Sequence, residues 1–195
     1  MKITVLGIDP SLTNMGLCVG EIDTLHHAVG IHCMEVTLLH LVRTEVQNKK
    51  TVRKSSDDLR RAQELHTELH RVIAKHKPQM IFTEVPSGSQ SAVSAKGLGI
   101  AVGVLASITR PLIQVSQQEV KMASVGKKTA SKEEMIDWAT RLYPEAEWLT
   151  HRGKLVAHNE HLADAVAVIN AGICTDEFKR LLVAFRVAQP RRRIE

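Results

Sequence analysis

Aromatic residues make up only 3% of this 195-residue chain, so aliphatic side chains must fill its interior. The same scarcity leaves no broad aromatic platform on which single-stranded bases could stack. Cysteine is sparse as well: Cys18, Cys33 and Cys174 lie far apart, and no CxxC pair occurs. Neither a zinc ribbon nor a disulfide framework is therefore supported. The three thiols read as reduced, mostly buried groups of a cytosolic protein. No apolar run approaches the roughly 18 residues of a membrane span, and no charged segment precedes a long apolar run at the N-terminus. The expectation is a chain without signal peptide or membrane partner. There is no internal repeat and no low-complexity tract.

What is present suffices for a core. A hydrophobic fraction of 44% excludes wholesale disorder, and a mass of 21.6 kDa suits one domain. We assign it to residues 1–188, followed by a basic tail over 189–195 (QPRRRIE is its context). Lys and Arg total 26 against 21 Asp and Glu, a formal charge of +5. A positive surplus raises the local concentration of polyanions and makes nucleic acid a natural partner class.

Residues 2–9 (KITVLGID) are β-branched and apolar and read as a buried strand, halted by Pro10. Residues 14–22 read as a second strand, and a third lies within 27–41. Residues 49–54 form a basic loop. Ser55 with Asp58 resembles a capping box, and Leu59, Ala62, Leu65, Leu69, Val72 and Ile73 recur at helical spacing up to Pro78. Residues 79–84 form a short strand, and Pro86, Ser87, Gly88 and Ser89 a loop. The small-residue segment 92–109 reads as a helix packed closely on a sheet, and 111–116 as another strand. A basic loop, GKKT at 126–129, precedes a second capping box, Ser131 with Glu134, and a helix ending near Pro144. An apolar helix over 160–173 closes the series, and the tail frays. Strands first, then helix and strand in alternation, indicate an α/β domain with a mixed sheet.

Three acids stand where apolar context should forbid them. Asp9 and Glu84 end two buried strands, and Asp164 sits inside HLADAVAVI. A carboxylate in such surroundings must be paired, hydrogen-bonded or metal-bound. Any one of them alone reads as a satisfied structural acid; three, at separate element ends of a basic chain, read as a site. Strand C-terminal ends are where α/β sheets place ligands. His161 precedes Asp164 by three residues and shares its helix face. Hard oxygen donors plus one imidazole suit Mg²⁺ or Mn²⁺ and not structural zinc. Two such ions about 3.5–4 Å apart can activate water, stabilise a leaving 3′-oxygen and neutralise a phosphodiester. His161 fits either a ligand or a group that positions or deprotonates the water. The remaining histidines, among them His26, His27, His66, His70 and His151, receive no assignment.

The residues carry a resemblance. GIDPSLTNMG (7–16) resembles the first-strand motif of the RuvC family of Holliday-junction resolvases, with a phage-type member as one form of the match. IFTE (81–84), followed by a loop and the small-residue helix KGLGIAVGVL, is similar to that family's second acidic motif. EVKMASVGKKTASKEEM (119–135) is similar to its basic segment, and HLADAVAVI (161–169) resembles its final acidic helix. The blocks occur in family order across nearly the whole chain. The resemblance implies an RNase H-like fold, a mixed five-stranded sheet flanked by helices. It implies Mg²⁺-dependent cleavage of four-way DNA junctions by a homodimer, with Mn²⁺ able to substitute. Asp9, Glu84 and Asp164 match the family's catalytic carboxylates, and His161 stands where the family has Asp or His. Lys121 and Lys132 match two lysines near the scissile phosphate, and Lys127 and Lys128 between them fit a phosphate-contacting loop. One departure is plain: residues 84–88 (EVPSG) lack the aromatic wedge that often follows the second acid. Broader branched DNA, forks and flaps included, is the corresponding alternative substrate.

Other classes fit less well. A non-catalytic junction-binding protein has no reason to set carboxylates against phosphate. Sugar-kinase and actin-like ATPases duplicate the domain, and one GIDPSLTNMG motif in 195 residues cannot supply two copies. A DEDD-type exonuclease wants Asp-x-Glu, whereas Asp9 is followed by Pro10 and Ser11. GKKT is not a phosphate loop, because the earlier glycine is missing at the required spacing.

Overall fold

Strand β1 (Lys2–Asp9) alternates between two interiors. Successive side chains of a strand point to opposite faces. Ile3 and Val5 enter one apolar cluster and Leu6 and Ile8 the other. Continuing the alternation puts Gly7 and Asp9 on the face of Ile3 and Val5. The computed structural model describes residues 2–24, 33–47, 50–85, 88 and 91–188. The expectations for His26, His27, Lys49, Pro86, Ser87, Ser89 and the tail 189–195 lie outside the described residues.

Strand β2 (Asn14–Asp23) pairs antiparallel with β1, and β3 (Met34–Arg43) antiparallel with β2. After α1 (Lys54–His76) the chain enters β4 (Met80–Glu84), parallel to β1. Helix α2 (Ala92–Leu105) leads to β5 (Leu112–Val115), parallel to β4. The sheet order is β3-β2-β1-β4-β5, so the expected five-stranded mixed sheet is present. Helices α3 (Gln117–Ser124) and α4 (Lys132–Leu142) follow, then a two-stranded hairpin of β6 (Thr150–His151) and β7 (Lys154–Leu155). Helix α5 (Asn159–Ile173) and helix α6 (Asp176–Ala188) end the described chain.

The sheet separates two cores. Leu65, Leu69 and Val72 of α1, with Val104 and Leu105 of α2, cover the face of Leu6 and Ile8. Helix α5 covers the other and buries twelve of its fifteen residues. It can lie this close because β1 and β2 offer glycine beneath it. A Cβ on Gly7 would come within 2.1 Å of the Ala165 carbonyl oxygen, and one on Gly16 within 1.9 Å of the His161 carbonyl oxygen.

Several local expectations change. Helix α1 begins at Lys54, with Arg53 as its N-cap and no side-chain cap, so Ser55 and Asp58 form no capping box. Asp58 is instead buried and paired with Lys96 of α2, and Leu59 is exposed while Asp57, Asp58 and Arg61 take the inner face. Arg61 is buried because the loop after β1 and the residue following β3 satisfy it: it donates to Thr13 Oγ1 at 2.8 Å and to Thr44 Oγ1 at 2.9 Å. Helix α2 stops at Leu105, short of Thr109, because Ser107 turns its hydroxyl back onto the Val104 carbonyl. The box at Ser131 and Glu134 is present, and Ser116 with Glu119 forms another that opens α3. Of the cysteines, Cys18 is buried, Cys33 half-buried and Cys174 exposed, so "mostly buried" holds for one of the three. Among the described residues no helix is long and apolar enough to cross a membrane.

Candidate active site

Alternation along the parallel strands aims both strand-end acids the same way. In β4, Met80 and Phe82 belong to the cluster beneath α5 and Ile81 to the opposite one. Glu84 therefore shares the α5 face with Asp9. The register pairs Ile8 with Thr83, which leaves Asp9 and Glu84 side by side at the C-terminal edge of the sheet. Helix α5 brings His161 and Asp164 down onto that edge. His161 Nδ1 meets Asp9 Oδ2 at 2.7 Å. The glycine at position 16, against the His161 backbone, is what permits this approach.

The electrostatics report one shared pocket. Burial, then the charge of Asp9, pushes the Glu84 carboxyl up to about 7, with Lys121 of α3 opposing the rise. Burial, then Asp9 and Glu84, pushes Asp164 up to about 7, with His161 opposing. Burial disfavours a charged His161 ring, but its hydrogen bond to Asp9 and the charges of Asp9, Glu160 and Asp164 outweigh this and raise its pKa. The three carboxylates sense one another, and burial among like charges outweighs Lys121 and His161 in raising two of them.

The four side chains thus gather at one place, and Lys121 stands close enough to act on Glu84. Lys132, the first residue of α4, pairs with Glu160 Oε2 at 2.6 Å, while Glu160 Oε1 lies 3.3 Å from His161 Nε2. Lys127 pairs with Glu134 Oε1 at 2.5 Å, and Lys128 is exposed. Sequence reasoning missed Glu160. Its only signal is its place one residue before His161, where an acid in the first turn of a helix reads as a complement to the helix dipole.

The donor set fits a divalent cation. Three carboxylates and an imidazole suit a hard cation, and the raised carboxyl pKa values report burial among like charges that a bound cation would relieve. Among the described residues, no three such groups already stand at metal-ligand spacing.

Strand order and helix placement define an RNase H-like fold, and comparison with known proteins narrows it. The chain is 28% identical over 142 residues to the crossover junction endodeoxyribonuclease RuvC of Prochlorococcus marinus (strain MIT 9303), covering 70% of this chain and 81% of that protein. The structure is similar to Thermus thermophilus RuvC in complex with a Holliday junction substrate, with TM-score 0.62, 22% identity, and 87% and 92% of the two chains covered. It is also similar to the yeast mitochondrial Holliday junction resolvase Ydc2, with TM-score 0.58, 12% identity, and 94% and 81% covered. No family model matches the chain. Sequence and fold together bear out the RuvC-family resemblance.

Proposed function

We propose that this chain is a divalent-metal-dependent endonuclease that resolves four-way DNA junctions in recombination and repair, acting as a homodimer. The observation that carries the reading is the convergence of Asp9, Glu84, His161 and Asp164, four residues distant in sequence, on the C-terminal edge of one sheet. The RuvC relative, itself a crossover junction endodeoxyribonuclease, supports the substrate class.

Asp9, Glu84, Asp164 and His161 would hold Mg²⁺, with Mn²⁺ as a substitute. When bound, the metal supplies an activated water and neutralises charge on the phosphodiester. The protein's own work is positional. Asp9 and Glu84 are fixed by strand ends, and His161 and Asp164 by a helix locked against glycine. Lys132 leaves Glu160 for a phosphate oxygen and balances the charge that develops there. Lys121, Lys127 and Lys128 bind flanking phosphates, Lys127 exchanging Glu134 for the ligand. The water oxygen bonds to phosphorus, the P–O3′ bond breaks, and a 5′-phosphate and a 3′-hydroxyl result. A twofold dimer presents two such sites to a substrate with two equivalent strands.

A panel of synthetic four-way junction, fork, flap and linear duplex, each with Mg²⁺, Mn²⁺ and EDTA, tests this. Paired nicks on the junction, dependent on metal, are expected. Preference for fork or flap would shift the substrate to branched DNA more broadly. Tight junction binding without nicks in either metal would favour a binding protein.

A further inference from the structure

Ten residues before His161 the chain makes a hairpin that the nuclease reading does not use. Thr150 pairs with Leu155 and His151 with Lys154, leaving Arg152 and Gly153 as a two-residue turn. Both turn residues have positive φ, 51° and 75°, the geometry of a type I′ turn. All six residues are exposed. The strands are too short to be stable alone, and the foot of the hairpin is clamped. Asn159, fully buried in the first turn of α5, accepts from Leu149 N at 2.9 Å and donates to the Leu149 carbonyl at 2.8 Å. Val156 N donates to the same carbonyl at 3.2 Å. The arm is therefore fixed to the helix that carries His161 and Asp164. Its base, at Leu155 and Val156, opens on a cleft of about 290 Å³ shared with Lys132 and Glu160.

The charge on this arm is uncompensated. His151, Arg152 and Lys154 have no acidic partner among the described residues, whereas Lys2, Lys96, Lys127 and Lys132 are each matched to a carboxylate. Nothing in the fold requires Arg152 on the turn or His151 and Lys154 on the positions that flank it; Asn-Gly would form the turn more readily. A preorganised cationic arm beside a phosphodiester site gives up little entropy on binding a polyanion.

We infer that the hairpin Thr150–Leu155 binds the DNA backbone, with Arg152 and Lys154 holding phosphates of the duplex arm next to the scissile strand. The inference rests on the nuclease reading and adds to it a binding element outside the acidic cluster and its lysine-bearing segment.

The test is the double variant Arg152→Asn/Lys154→Gln, which removes two cations while creating the favoured Asn-Gly turn. Anisotropy of a labelled four-way junction is measured in EDTA from 50 to 200 mM KCl. The control, Lys75→Gln/Arg110→Gln, removes the same charge near the starts of β4 and β5, at the opposite end of the sheet. The hairpin variant is expected to bind about tenfold more weakly at 100 mM KCl. Its log–log salt dependence should flatten by about 1–2, at roughly 0.9 for each phosphate no longer neutralised. The control should stay within about twofold of wild type, as charge remote from the DNA does. Wild-type affinity and slope in the hairpin variant would overturn the inference and leave the nuclease reading intact, and so would an equal weakening in the control. A wild-type chain that binds no junction would overturn the nuclease reading itself and the hairpin's role with it.

Discussion

Asp9, Glu84 and Asp164 crowd three acids into a half-buried pocket, and the cost of doing so is itself measurable. Glu84 and Asp164 titrate near 7 in the folded chain and near 4 when unfolded. Between those values the folded state binds more protons, so stability falls as pH rises. His161, raised by its partners, contributes stability that is likewise lost as pH climbs through its folded pKa. The metal-free protein should therefore melt at a lower temperature at pH 8 than at pH 5.5. Mg²⁺ should reverse the loss, binding more tightly at pH 8 and releasing protons below pH 7. Thermal melts with and without EDTA, and calorimetry in two buffers, check both halves; melting independent of pH and metal would contradict the site. For Lys132, replacement by Ala should slow nicking about 10²–10³-fold, the usual cost of losing one group that stabilises transition-state charge. Junction affinity should change little, and single-turnover rates with binding titrations separate the two. The acids were legible in the sequence because three carboxylates in apolar context, two ending strands and one inside a helix, are costly together unless they serve a site. Glu160 was not, because an acid in a helix's first turn looks ordinary until Lys132 is seen to reach it.

Elements place these residues, and the placement depends on how closely α5 lies on β1 and β2. Gly16→Ala would push a methyl into the His161 backbone, at a cost of about 1–3 kcal/mol for overpacking. It should also displace His161 from Asp9, so nicking should fall further than stability accounts for. Gly99→Ala meets nothing within 4 Å on α2 and should stabilise by about 0.5–1 kcal/mol through helix propensity. Chemical denaturation and nicking rates of the pair check this, and equal behaviour of the two variants would refute the close-packing argument. The five strands of the large sheet and the helices α1, α2, α4 and α5 were readable because apolar periodicity, the cap at Ser131 and the stop at Pro144 agree with their final state, whereas the β6–β7 hairpin was not, its two-residue strands being too short to show a period. Helix α3 was not, since eight residues carry too little periodicity; only the capping box of Ser116 and Glu119 marks it. Helix α6 was masked by the polar tail that follows, although Phe178 and Leu182 anchor it in the core. The first cap of α1 was misplaced because Asp58, read as a cap partner, is drawn into the buried network with Lys96 and beside Arg61.

At the scale of the whole molecule, the chain folds one mixed sheet between two helical layers and gathers its acids at one edge. Lys121 of α3 and Lys132 of α4 border the same region, and the base of the hairpin shares a cleft with Lys132 and Glu160. This architecture was legible as an order of strands and helices, and the family resemblance supplied the topology that periodicity alone could not. What the residues could not disclose was the direction each acid faces, which follows from two-residue alternation against a known core. The central claim is that these acids drive phosphodiester hydrolysis, and single-turnover nicking of a labelled four-way junction with Mg²⁺ tests it most directly. Wild type, Asp9→Asn, Glu84→Gln and Asp164→Asn are compared at saturating protein. The account predicts symmetric paired nicks by wild type, none above background by the three variants, and junction binding retained by all four. Nicking by the variants at the wild-type rate would contradict it.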